Sequence, residues 1–98
     1  MLFGNNDFEF LEMHIKNYKW HQSSEEFEIL CRYQNKEAAS VMFGNVRNVD
    51  NIPLLNGRVI EYIQYNFGDN RNVECYEIHF KDISETVNVW ADSIKYLY

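Results

Sequence analysis

The stretch that decides the fold is the last quarter of the chain, Val73 to Tyr98, which reads VECYEIHFKDISETVNVWADSIKYLY. Apolar side chains recur at every second position before and after a polar turn at Asp82 to Glu85: Tyr76, Ile78, Phe80, Val87 and Val89. A period of two is typical of a strand with one buried face. The stretch therefore predicts a core hairpin, followed by a short third strand.

The end of the chain carries two further predictions. Ala91, Asp92 and Ser93 interrupt the alternation, which indicates a bulge or a tight corner. The closing strand, Ile94 to Tyr98, is expected at an edge of the sheet, where unpaired backbone groups invite another chain. Such an edge could form a homodimer with its twin or pair with a strand of a partner protein.

The segment Asp7 to His21 fits two patterns. Four residues follow a helical stripe behind an Asp7 cap: Phe8, Leu11, Ile15 and Tyr18. The same segment also fits a strand whose phase switches at a bulge near Lys16 and Asn17. We favour the strand, because its second half is rich in aromatic residues and the other strands need a partner.

The middle of the chain alternates strand and turn patterns. The remaining predicted strands are Glu26–Gln34, Ala38–Phe43 and Arg58–Phe67. Val46 to Pro53 is expected to form a loop or a single 3₁₀ turn, and the Asn56-Gly57 pair predicts a hairpin. Gly68 to Asn72 is predicted to be a mobile polar loop.

These elements predict one all-β domain over residues 1–98. The strands recur at intervals of roughly 8 to 12 residues, and the short connections leave no room for crossover helices. We expect an antiparallel sandwich or half-open barrel of seven or eight strands, with little or no helix.

Composition restricts the class of protein. The 98 residues are 46% hydrophobic and 16% aromatic, which indicates a packed globule. The net charge is −6 and the basic residues stand singly, so we expect an acidic protein that binds a basic partner and no nucleic acid. No apolar run approaches the roughly 20 residues of a membrane span and no signal peptide is visible, which predicts a cytoplasmic protein that does not bind membranes.

Residues able to carry chemistry form no recognisable motif. His14, His21 and His79 lack the spacing of metal ligands, and no nucleophile elbow or phosphate-binding glycine loop occurs. We therefore expect no enzymatic activity, no metal and no cofactor. Cys31 and Cys75 have no CxxC partner and are predicted to be free thiols in the core.

The aromatic residues are the strongest indication of a binding role. The chain has seven tyrosines and seven phenylalanines. Tyrosine left half exposed on a sheet face is a common anchor at protein interfaces. The candidate partner-binding residues are Tyr62, Tyr65, Tyr96 and Tyr98.

Several segments together resemble a known group of proteins. They are the Phe27 to Tyr33 strand, the "VMFGNV" step, the "NGRVIEYIQY" strand and the ending "YEIHF…VNVWADSIKY". This pattern of hydrophobic and turn positions is similar to small, mostly uncharacterised bacterial all-β proteins, some of which are immunity proteins of polymorphic toxin systems. The resemblance implies a cytoplasmic protein that neutralises a toxin domain by occlusion, and it carries over no catalytic residue.

Three functions are consistent with the sequence. The leading hypothesis is a non-enzymatic protein-binding module, with a basic toxin such as a nuclease as its partner. The alternatives are a barrel that carries a small ligand and a structural or homo-oligomeric protein. A carrier should enclose an apolar cavity, whereas a partner binder should have a filled core and aromatic residues on its outside.

Overall fold

The computed structural model describes residues 10–67 and 74–97. Its strands are β1 (Phe10–His21), β2 (Glu26–Tyr33), β3 (Lys36–Gly44), β4 (Asn48–Val49), β5 (Val59–Phe67), β6 (Glu74–Phe80), β7 (Thr86–Ala91) and β8 (Ser93–Leu97). They form one eight-stranded antiparallel sheet in the order β4-β7-β6-β5-β1-β2-β3-β8, which is not closed into a barrel. The predicted all-β fold is confirmed. The predicted mobile loop at Gly68 to Asn72 lies outside the described residues.

The first segment is a strand with a bulge, as predicted. The pairing of β1 with β2 shifts register between Ile15 and Asn17, so Lys16 is the extra residue. Before the bulge Leu11, Met13 and Ile15 are buried, and after it Tyr18 is half-buried against the core. The bulge thus lets one strand keep its apolar side chains inside although their spacing changes from two to three.

The closing hairpin pairs as the alternation predicts, with Tyr76 opposite Val89. β7 ends at Ala91 and β8 begins at Ser93, so Asp92 forms the predicted corner. The Asp92 amide donates to the Gly44 carbonyl at 3.0 Å, and beyond this corner β8 pairs with β3 at the far edge of the sheet. β7 and β8 are consecutive in the chain, yet they lie near opposite edges of the sheet. The sheet must therefore curl around its core.

The hairpin predicted at Asn56-Gly57 is wrong. The residues before it, Ile52–Leu54, form a 3₁₀ turn instead of a strand, and the turn leads directly into β5. Pro53 cannot donate to a strand ladder, and Leu55 is fully buried in the core, so this segment cannot run alongside β5. Gly57 has a φ of 78°, which explains the glycine there.

The core lies on the concave face of the sheet. Its largest fully buried side chains come from almost every strand: Leu11, Met13, Phe27, Ile29, Val41, Phe43, Ile60, Ile63, Tyr76, Ile78 and Val87. Phe43 of β3 and Tyr76 of β6 meet across this core with ring centroids 5.6 Å apart. In β5, a second register shift between Ile60 and Tyr62 keeps both Ile60 and Ile63 inside.

Within the described ranges, no helix has the length and apolar character needed to cross a membrane.

Candidate functional site

The two halves of the sheet differ in charge. β4, β5, β6 and β7 contain no lysine or arginine, and they carry Glu61, Glu74 and Glu77. Every strand of the other half carries basic residues: Lys16 and Lys19 in β1, Arg32 in β2, Lys36 in β3 and Lys95 in β8. The half-sheet formed by β4 to β7 is therefore the acidic part of the strand framework.

The outer positions of this half-sheet form one continuous surface. Cross-strand pairs place Tyr62 beside His79, Gln64 beside Glu77 and Glu77 beside Asn88. We call this surface the acidic aromatic face and define it by Phe10, Asp50, Tyr62, Gln64, Glu77, His79, Asn88 and Trp90. These residues alternate with the buried side chains of the same strands, because successive side chains of a strand point to opposite faces.

An aromatic stack lies at the centre of the acidic aromatic face. The rings of Tyr62 and His79 are parallel to within 13°, with centroids 4.3 Å apart. Phe10, which is 68% exposed, meets Tyr62 edge to face at 5.7 Å. His79 Nε2 donates to Glu77 Oε1 at 2.7 Å. The hydrogen bond and the ring contacts hold the aromatic groups in fixed positions at the surface.

Two carboxylates lie close to this stack. Burial and then the carboxylates of Glu61 and Glu77 raise the pKa of Tyr62. Burial raises the pKa of the neighbouring Cys75 thiol to about 11, with smaller contributions from Glu77 and Asp50. Both groups are therefore neutral near pH 7, and the Glu77 carboxylate of the acidic aromatic face contributes to the raised pKa of each.

Asp50 is fixed at the far side of the acidic aromatic face. Its Oδ1 accepts the Asn88 amide at 2.6 Å, and its Oδ2 accepts Asn88 Nδ2 at 3.0 Å. The Asp50 amide in turn donates to the Asn88 carbonyl at 3.0 Å. These three bonds hold Asp50 against β7, so its negative charge has a fixed position at the surface.

The four tyrosines predicted from the sequence do not lie together. Tyr62 is at the centre of the acidic aromatic face, whereas Tyr65 packs on the core side, 5.4 Å from Tyr76. Tyr96 also packs against the core, opposite Val41 of β3. Tyr98 lies outside the described residues. The acidic aromatic face therefore includes one of these tyrosines, and Tyr65 and Tyr96 serve mainly in packing.

Sequence reasoning missed His79, Glu77 and Asp50 as members of one surface. The alternation of β6 placed His79 and Glu77 on its polar side, but only the pairing of β6 with β5 brings them to Tyr62. The basic residues, although single in the sequence, are also gathered by the fold. Lys16, Arg32 and Arg58 line one surface depression together with His14, which corrects the expectation that they stay scattered.

Within residues 10–67 and 74–97, no group of three or more His, Cys, Asp and Glu side chains is arranged to hold a metal ion. The histidines instead pair with single carboxylates or face basic residues. His21 Nε2 donates to Glu28 Oε1 at 2.9 Å, and His14 lies opposite Arg32 in the β1–β2 pair.

No family model matches the chain, and neither a curated protein sequence nor a solved structure matches it.

Proposed function

We propose that this protein is a non-enzymatic protein-binding module whose acidic aromatic face docks on a basic partner protein. The observation that carries the proposal is the stack of Tyr62 on His79, extended by Phe10, on a half-sheet whose strands contain no lysine or arginine. The exposed Phe10 ring and the half-buried Tyr62 and His79 rings are held in place, so they supply apolar contact area with little loss of side-chain entropy on binding. The surrounding carboxylates select a partner of positive charge.

Charge and aromatic contacts have different roles in this docking. Complementary charges speed the encounter of two proteins and make it sensitive to salt, because exposed charges are screened within about 8 Å at physiological ionic strength. Desolvated aromatic residues at the centre of an interface contribute most of the affinity. We therefore assign affinity to Tyr62 and Phe10, and the rate of association to Glu77 and Asp50.

The biological setting that we propose is immunity to a toxin. The partner is a basic toxin domain such as a nuclease, which the protein neutralises in the cytoplasm by covering its surface. Support comes from the similarity of the hydrophobic and turn pattern to immunity proteins and from the acidic aromatic face. No residue of the chain is assigned a catalytic role.

The packing favours a partner binder over a ligand carrier. Phe27, Phe43 and Tyr76 are fully buried and occupy the space enclosed by the curled sheet. Three depressions lined by described residues open at the surface, next to β1, β2 and β3. A carrier would need an enclosed apolar space for its ligand.

The edge strand β8 offers a second contact with a partner. β8 pairs with β3 alone, and its outward residues are exposed: Ser93, Lys95 and Leu97. A symmetric homodimer centred on Lys95 would place two ammonium groups opposite each other, which destabilises an antiparallel pair. We therefore propose that this edge pairs with a strand of the partner in preference to a second copy.

Site-specific photo-crosslinking tests the proposal. A benzophenone amino acid replaces Tyr62 in one variant and Lys19, on the other half of the outer face, in a second. Both proteins are irradiated in the native lysate, and the crosslinked protein is identified by mass spectrometry. We expect a basic protein that is captured from position 62 and not from position 19, and that stops growth when it is expressed alone.

The captured protein then serves as the probe. Its growth inhibition should be relieved by co-expression of the wild-type chain and not by Tyr62→Ala, while the matched control Lys19→Ala still relieves it. Capture at both positions, or equal relief by Tyr62→Ala and wild type, would contradict docking through the acidic aromatic face. A captured protein without any effect on growth would contradict the immunity setting but not the docking.

A further inference from the structure

We propose that a depression at the bulge of β1 binds an oxyanion of the phosphate type. The depression has a volume of about 360 Å³ and is lined by His14, Lys16, Arg32, Glu37 and Arg58 together with backbone of the Gly57 turn. It shares no residue with the acidic aromatic face. The inference is therefore independent of the proposed function.

Lys16 reaches this depression from the bulge of β1. β1 pairs with β5 up to His14, which lies opposite Val59, and with β2 through Ile15 and then Asn17. Alternation after the buried Ile15 places Lys16 on the same face as His14. The bulge leaves Lys16 without a partner in either ladder, so no cross-strand neighbour covers its side chain at the depression.

Arg58 is held at the opposite wall of the depression. Its carbonyl accepts the Ile15 amide at 2.9 Å, and its NH1 donates to Asp82 Oδ2 at 2.9 Å. Its Nε is buried and has no hydrogen-bond acceptor in the described part of the chain. The Arg58 side chain as a whole is 29% exposed, so it is the guanidinium and not the buried Nε that faces solvent at the depression. The bond to Asp82 orients this guanidinium.

The other cations of the depression are not neutralised. In the described ranges, Lys16 and Arg32 form no ion pair. Both line the same depression, and two like charges held close together repel each other. In a protein of net charge −6 such a cluster does not follow from composition. A bound anion would remove the repulsion.

The hydrogen-bond donors of the depression favour a phosphate group over a single carboxylate. Lys16, Arg32 and Arg58 stand against Glu37 in the lining and against Asp82, which pairs with Arg58, so one positive charge is left in excess. This excess attracts an anion, and a phosphate group accepts several hydrogen bonds at once. Arginine pairs with phosphate through two parallel hydrogen bonds, which supplies geometric selectivity.

An NMR titration with inorganic phosphate tests this inference. ¹⁵N-labelled wild-type protein is titrated with phosphate, and in a second arm with acetate at matched ionic strength. We expect saturable amide shifts at His14, Lys16, Arg32 and Arg58 with phosphate, and at least tenfold weaker binding of acetate. Shifts that rise linearly without saturation, or that acetate reproduces, would overturn the assignment.

Two variants provide an independent arm. Arg32→Gln and Lys16→Gln should each weaken phosphate binding at least tenfold, whereas Lys19→Gln, which makes the same charge change elsewhere on β1, should leave the affinity within twofold of wild type. Unchanged amide spectra away from the substitution will show that each variant is folded. Equal weakening by Lys19→Gln would mean that phosphate responds only to overall charge, which contradicts a built site.

Discussion

Tyr62 of β5 and His79 of β6 stack face to face with ring centroids 4.3 Å apart, and the His79 ring is fixed by a 2.7 Å hydrogen bond to Glu77. The stack is a direct cross-strand contact on the outer side of the sheet, where no core packing holds either ring. Its geometry therefore contributes both to the pairing of β5 with β6 and to the shape of the acidic aromatic face.

Removing the Tyr62 ring should destabilise the fold moderately. An aromatic pair contributes about 0.5–1.5 kcal/mol beyond its buried area, so we expect Tyr62→Ala to lower the free energy of unfolding by about 1–2 kcal/mol. Urea denaturation measures this as a lower midpoint with an unchanged m value. Tyr62→Phe keeps the stacked ring and should lose less than half as much. Equal losses in both variants would show that the stack contributes nothing.

The pair of His21 and Glu28 predicts a pH dependence of stability. The hydrogen bond from His21 and, less strongly, the positive charges of His21 and Lys19 and a bond from Ser40 outweigh the effect of burial and lower the pKa of Glu28. A carboxyl whose pKa is lower when folded stabilises the protein above its unfolded pKa of about 4.3, and this contribution is lost as the pH falls through the folded pKa.

The test of this pair is Glu28→Gln. At pH 7 we expect the variant to be less stable than wild type by roughly 1 kcal/mol, the usual contribution of such a hydrogen bond. The difference should shrink steadily below pH 4 in urea denaturation curves. Glu85→Gln, at an exposed site between β6 and β7 with no ion pair in the described ranges, is the control and should show no such trend. A pH-independent difference would contradict the pairing.

The two thiols should be unreactive in the folded protein. Cys31 and Cys75 are free and buried, and burial raises their pKa values to about 12 and about 11. Because the thiolate is the reactive form, we expect a disulfide reagent at pH 8 to modify neither thiol within minutes, and to modify both at once in denaturant. Rapid modification of the native protein would show that these strands open readily or pack differently.

The edge position of β8 predicts tolerance to a strand breaker. Leu97 is 40% exposed and lies opposite Ser40 of β3 near the end of the strand. Leu97→Pro removes one amide donor at this edge, so we expect a folded protein with a circular dichroism spectrum close to that of wild type. Global unfolding would mean that β8 is needed to hold the curled sheet together.

The mass in solution tests how the β8 edge is used. We expect light scattering to give the monomer mass of 11.8 kDa for wild type. Lys95→Val removes the charge from the centre of the edge and should increase self-association, because an uncharged, β-branched edge strand pairs readily. A wild-type dimer that Leu97→Pro dissociates would instead support the symmetric homodimer expected from the sequence.

Most of the fold follows from local patterns in the sequence. Alternation located the strands other than β4, and the change of spacing from Ile15 to Tyr18 predicted the bulge in β1. The segment Val46 to Pro53 was expected to be a loop or a 3₁₀ turn; it contains the 3₁₀ turn but also β4, a two-residue strand too short to show any alternation. The corner between β7 and β8 was predicted because the alternation is interrupted at Ala91, Asp92 and Ser93. The prediction of a hairpin at Asn56-Gly57 was wrong, because such a pair specifies only a local bend. A hairpin also needs a strand on each side of the bend, and Pro53 disfavours a strand before it.

The candidate site was less predictable because it depends on which strands become neighbours. Tyr62 and His79 are 17 positions apart in the sequence, and only the pairing of β5 with β6 stacks them. Tyr65 and Tyr96 were expected to be half exposed on a sheet face; they are half-buried, and they lie on the core side, since a tyrosine ring fits either face of a strand. Lys16, Arg32 and Arg58 stand singly in the sequence, yet the bulge of β1 gathers them.

Hydrogen–deuterium exchange of the bound protein tests the central claim most directly. The protein is measured alone and in complex with the partner captured by crosslinking, and the protection of each strand is compared. Docking through the acidic aromatic face predicts that added protection is largest in β5, β6 and β7, and that it disappears in the Glu77→Gln and Tyr62→Ala double variant. Protection largest in β1 and β2, with β5 to β7 unchanged, would contradict the account.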